Sequence, residues 1–163
     1  MTTPDRLAFD QEVSLFLATC RTATLATVDT DGGPCAANVQ YVHDTDFRLF
    51  WVSSPESMHS VNLQHEPRVA ITVYAHDDRA ENIHGLQMRG VAGVVEAGEP
   101  TQSAFDLYTD KFAFIAANPQ LRAAVEKQRF YEFTPTWLRW IDNRVRFGHK
   151  VEISLDASPH RAS

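Results

Sequence analysis

The chain has 163 residues, 44% of them apolar and 22% charged, a composition that describes one globular domain long enough to bury its own core. Asp and Glu number 21 against 15 Lys and Arg, giving a formal net charge of -6 without a basic stripe, which argues against nucleic-acid binding. No apolar run approaches a membrane span and no signal-peptide core opens the chain. Cys20 and Cys35 lack CxxC or zinc-finger spacing, so the expectation is a cytoplasmic protein with two buried free thiols.

Thr3-Pro4-Asp5 is a helix-start signal, and Phe9, Val13, Phe16, Leu17 and Cys20 fall on one face of the helix that follows. Ala23 to Val28 reads as a short buried strand. The turn Asp29 to Pro34 supplies glycines, Cys35 to Val42 returns, and Phe47 to Val52 makes a third strand after Asp44-Thr45-Asp46. Val69 to Tyr74 and Ile83 to Glu96 are further strands. The second contains Gly85, Gly90 and Gly93, and glycines inside a strand mark the bulges and bends that barrel closure needs. Helices are expected over Thr101 to Ala116 and Pro119 to Lys127, the latter capped by Asn118. The strands Phe130 to Phe133, Thr136 to Asp142 and Val151 to Leu155 follow. Strand-helix alternation of a Rossmann type is missing. The expected fold is mainly β: a Greek-key-like antiparallel split barrel of six or so strands with peripheral helices. A single domain is expected over residues 1–155, with a polar, disordered tail at 156–163.

The segment Leu49 to Ile71 carries the most information. Ser54 is placed to cap a helix, Pro55 suits its first position, and Pro67 ends it. A helix start leaves N–H groups unpaired and attracts a phosphate, to which Ser53, Ser54 and Ser57 would add hydroxyl donors. Local physics alone favours an ordinary β-to-α turn, since Ser and Pro cap most such helices. Motifs for dinucleotide, nucleotide, zinc-protease or serine-hydrolase chemistry are absent, and the histidines lack metal-ligand spacing. No metal ligand and no general acid or base stands out.

Taken together, Val52-Ser53-Ser54, Ser57, His59, Asn62-Leu63 and Pro67-Arg68-Val69-Ala70 resemble the flavin-binding split-barrel family of the pyridoxamine 5'-phosphate oxidases. Phe16 to Thr19, Ala23 to Val28 and Asp31 to Pro34 extend the likeness upstream. Gly85 to Gly90 and Arg146 to Lys150 extend it downstream, so that it spans roughly Val13 to Leu155. The last two segments look most like a little-characterised branch.

The resemblance implies FMN as cofactor and an FMN-dependent oxidoreductase acting on a small molecule, with NAD(P)H a candidate donor. The alternative is a non-catalytic flavin, haem or deazaflavin F420 carrier or sensor on the same fold. Val52, Ser53, Ser54, Ser57, Met58, His59 and Asn62 would surround the phosphate. Asn38, Gln40 and Gln87 would border the ring, and Phe147 and Lys150 would also contact the cofactor. Either Gln87 or the Phe147–Lys150 segment would reach the site from the partner of a homodimer. The apolar stretches Phe47 to Trp51 and Trp137 to Ile141 would supply the dimer face.

Two departures stand out. His59 occupies a place where most relatives carry Lys or Arg, so Arg68 or Lys150 would have to compensate. The Arg-Leu-His-Asp-Arg signature by which the parent oxidases hold substrate is replaced by Arg144-Val-Arg-Phe-Gly-His-Lys150.

Overall fold

A computed structural model describes residues 3–77 and 79–155; the expected disordered tail at 156–163 lies outside them. Seven strands form one sheet: β1 (Thr22–Val28), β2 (Pro34–His43), β3 (Leu49–Ser53), β4 (Arg68–Tyr74), β5 (His84–Val94), β6 (Arg129–Asp142) and β7 (Lys150–Ser154). Their order is β3-β2-β1-β4-β5-β6-β7, all pairs antiparallel, and β3 also pairs with β6. Six strands therefore close into a barrel with β7 outside. The helices are α1 (Thr3–Thr19), α2 (Met58–His65), α3 (Glu99–Lys111), α4 (Ala113–Ala116) and α5 (Pro119–Glu126). No described helix is long and apolar enough to cross a membrane.

Closure depends on one long strand. The two short strands expected at 130–133 and 136–142 are a single strand that runs through Pro135. Its first half pairs with β3 over residues 129–133, and its second half pairs with β7 over 137–141. Between them the register against β5 shifts: Arg89 faces Trp137 while Gly90 faces Pro135. Thr136 is the additional residue of a β-bulge, which bends the strand and tolerates a proline that cannot donate to the ladder. The bend lets one strand leave β3 for β7, and this is where the barrel splits.

Alternation sends Leu25, Val39, Tyr41, Leu49, Trp51, Ile71, Leu86, Met88, Tyr131 and Phe133 into the barrel. Outside it, α3 and α4 cover a second cluster that includes Phe50, Phe105, Tyr108, Phe112 and Phe130. The helix expected over 101–116 breaks at Phe112, whose φ of -113° and ψ of 60° leave helical geometry as its ring is buried. Phe47, Leu49, Phe50 and Trp51 are all buried within the chain, so this stretch does not present the open apolar face expected for a dimer. Both cysteines are free as expected, but half-buried rather than buried.

Helix α1 packs where the ring of Phe16 meets that of Trp140 edge-on at 4.9 Å. Its last carbonyls are satisfied from elsewhere: Lys111 Nζ donates to Leu17 O at 2.8 Å and Cys20 O at 2.7 Å, and Tyr41 Oη donates to Leu17 O. Ser14 Oγ meets His43 Nε2 at 3.1 Å. Burial, and then the Lys111 charge, pull His43 from 6.5 down to about 4, against Asp44 and Ser14. The unfolded chain binds this proton near 6.5 and the folded chain resists it, so stability is full above pH 6.5 and falls as pH drops toward 4. Thermal melts of the wild type are expected to lose Tm between pH 6.5 and 5, and His43→Gln to flatten that slope. Parallel slopes in the two proteins would remove His43 as the cause.

Candidate functional site

Strand β3 ends at Ser53, and the chain turns through Ser54 to Ser57 before α2 begins. The expected cap at Ser54 is displaced by three residues. Ser57, with φ -64° and ψ 146°, is the N-cap, and Pro55 sits in a turn closed by Ser57 N–H to Ser54 O at 3.1 Å. Ser54 Oγ accepts from Glu56 N–H at 3.2 Å within that turn. Ser57 offers no side-chain hydrogen bond to the first turn of α2. Its hydroxyl lies instead 3.1 Å from Ser53 Oγ and 3.1 Å from His59 Nε2, and donates to Ser60 Oγ at 2.8 Å. Ser53 Oγ is 2.8 Å from the same His59 nitrogen. Three hydroxyls and an imidazole thus converge beside a helix start whose N–H groups lack a capping side chain. Burial holds His59 below its ordinary range, favouring the neutral ring.

The other residues expected near the phosphate divide by role. Asn62 is buried and its amide donates to Thr27 Oγ1 at 3.0 Å, tying α2 to β1. Val52 packs toward the α3 cluster, and Met58 is exposed. Of the two cations offered as substitutes for His59, Arg68 is bound by Glu66, and Lys150 lies 4.0 Å from Glu152.

A second group lies on the outer wall of the barrel. Asn38, Thr24, Thr72, Gln87, Arg139 and Glu152 stand abreast on successive strands. Asn38 and Gln87 are three strands apart, roughly 14 Å at ordinary strand spacing. Between them are threonines, and in the next row Ala36, Ala26 and Ala70, so small side chains line this part of the wall. Gln40 is exposed opposite Thr22. Thr24 Oγ1 donates to Asn38 Oδ1 at 2.9 Å. Arg139 Nη1 donates to Gln87 Oε1 at 3.2 Å, and its Nε donates to Glu152 at 3.0 Å. Arginine only donates, so the amide oxygen of Gln87 is the acceptor here and its NH2 is the donor end. Trp137 is flanked by Arg89 at 4.3 Å and Arg139 at 5.0 Å.

Phe147 and Lys150 belong to a third place. Phe147 is 81% exposed in the loop that follows Asp142, and Lys150 begins β7. That loop is held to α1 by Arg144, which reaches Glu12 at 3.2 Å and Asp142 at 2.7 Å. The serine turn sits at the opposite end of β6, because Ser53 pairs with Arg129. A 14-residue strand lies between them, on the order of 40 Å of extended chain.

Among the described residues, no three or more of His, Cys, Asp and Glu are grouped to hold a metal ion. Sequence reasoning missed Ser60, which joins the group through Ser57 one helical turn away and is placed there only by the fold.

The family model for pyridoxamine 5'-phosphate oxidase matches residues 9–142. No curated protein matches the chain significantly. Among solved structures, a conserved hypothetical protein of Mycobacterium tuberculosis is 24% identical, with a TM-score of 0.73 over 91% of this chain and 92% of its own. A haem-binding protein of Mycobacterium smegmatis is 21% identical with a TM-score of 0.72; the match covers 89% of this chain but 57% of that one. The haem storage protein HutZ of Vibrio cholerae is 22% identical, with a TM-score of 0.65 over 77% of this chain and 88% of its own. These likenesses extend to the fold.

Proposed function

Because the chain belongs to the pyridoxamine 5'-phosphate oxidase family, we propose that it is an FMN-dependent oxidoreductase of the split-barrel type acting on a small molecule. The observation that carries this reading is the convergence of Ser53, Ser57 and His59 at the uncapped start of α2. Hydroxyls and helix N–H groups are the donors a phosphate monoester requires. The small side chains between Asn38 and Gln87 leave room for a planar ring, and an amide NH2 such as that of Gln87 suits a carbonyl on its edge. Bound FMN would supply hydride or electron transfer. The side chains bind and orient it, and none of them is assigned a proton-transfer role.

Replacing Ser53 and Ser57 together with Ala is expected to weaken FMN binding by about 1–3 kcal/mol, measured by quenching of flavin fluorescence. Riboflavin, which lacks the phosphate, should be almost unaffected. Equal losses for the two ligands would assign the serines to the fold instead.

The rival reading is a non-catalytic carrier of haem, flavin or deazaflavin. It draws on what the Mycobacterium smegmatis and Vibrio cholerae proteins are described as holding. A haemin titration run beside the FMN titration separates the two. A Soret band growing to one haem per chain, with no quenching of FMN, would replace the flavin reading.

We propose further that the pocket is shared by two copies of the chain. Its support is the separation of the serine turn from the Phe147–Lys150 loop along β6, with Phe147 exposed and uncovered by its own chain.

A further inference from the structure

The serine turn has no cation of its own: His59 is held toward neutrality, and Arg68 is committed to Glu66. A phosphate carries close to two negative charges at neutral pH, and hydroxyls do not offset them. The register of β3 against β6 puts one further residue at this end of the barrel. Ser53 and Arg129 are direct partners, the last pair of that ladder. Directly opposed residues of an antiparallel pair present their side chains to the same face, with Cβ atoms about 4.5–5.5 Å apart. A guanidinium on its three-carbon stem spans that gap. Tyr131 and Trp51, two residues further along each strand, face the barrel core together, so Arg129 and Ser53 share the rim above them.

Arg129 is also available. It is exposed and has no carboxylate or hydrogen-bond partner among the described residues, whereas Arg48, Arg68, Arg122, Arg139 and Arg144 are each tied to an acid. We infer that Arg129 is the phosphate-pairing cation of this chain, supplied from the opposite strand in place of the basic residue that His59 replaces. The inference rests on the flavin reading, and it adds a residue that the linear motif does not contain. A planar fork matches a phosphate in two hydrogen bonds, which makes arginine better suited than lysine at such a place.

The test is a set of fluorescence-quenching titrations with FMN and riboflavin on the wild type, Arg129→Gln and Arg129→Lys, with circular dichroism to confirm equal folding. Arg129→Gln is expected to raise the Kd for FMN by about tenfold or more and leave that for riboflavin unchanged. Arg129→Lys should fall between the two. Wild-type preference for FMN that survives intact in Arg129→Gln would overturn the inference while leaving the flavin reading standing. Equal weakening of both ligands would also overturn it. A wild type that binds FMN no better than riboflavin would remove the phosphate site and this inference with it.

Discussion

Replacing Gly90 with alanine is expected to destabilise the protein by about 3–5 kcal/mol, more than a typical overpacked side chain costs. A Cβ at this position would collide with Thr134 O and lie 2.8 Å from the Phe133 ring and 2.9 Å from Pro135 Cα. Two of those atoms are backbone, and they belong to the bulge through which β6 turns from β3 to β7. They have little freedom to retreat. Thr136 Oγ1 donates to Arg89 O at 3.2 Å, and Leu155 N–H donates to Thr136 O at 2.9 Å, fastening the bulge on both sides. Gly93 is the control, since nothing lies within 4 Å of its added Cβ. Urea unfolding should show a large drop in midpoint for Gly90→Ala and little change for Gly93→Ala. Similar midpoints for the two variants would mean that the bulge yields and does not hold the barrel closed.

That bulge also shows where the sequence was legible and where it was not. Glycines inside a long strand announced a bend, and the short apolar runs at residues 23–28 and 69–74 were legible as strands. These are local signals. Phe130 to Asp142 read as two strands but is one, because Pro135 lies at the bulge, past the end of the β3 pairing and before that of β7, where a proline N–H is not needed. No local pattern encodes that compensation. Likewise, the pairing of β3 with β6 joins residues about 80 positions apart, so neither the burial of Phe47 to Trp51 nor the position of Arg129 opposite Ser53 is visible in one dimension. The serine turn was legible as a group but its cap was not. Ser54 and Ser57 are chemically alike, and the choice between them rests on whether Pro55 starts a helix or a turn. Here Ser57 adopts the extended geometry of an N-cap and leaves its hydroxyl to Ser53, His59 and Ser60.

The shared pocket predicts recovery of binding from two defective proteins. Ser53→Ala/Ser57→Ala disables the serine turn, and Phe147→Glu places a charge where the loop would meet the ring. Both changes leave the core intact, because Ser53 and Ser57 are only partly buried and Phe147 is 81% exposed. In a two-fold dimer each pocket would take its serine turn from one copy and its loop from the other. A heterodimer of the two variants then holds one pocket with both defects and one with neither. Mixing equal amounts, with exchange of subunits, should therefore restore full-affinity FMN binding to about a quarter of the sites. Either variant alone should show none. The stoichiometry is read from the tight phase of a fluorescence-quenching titration, with light scattering to establish that the species is a dimer. A pocket built within one chain makes the opposite prediction, because mixing would regenerate nothing. The long separation along β6 is what favours recovery: the serine turn and Phe147 lie at opposite ends of a 14-residue strand.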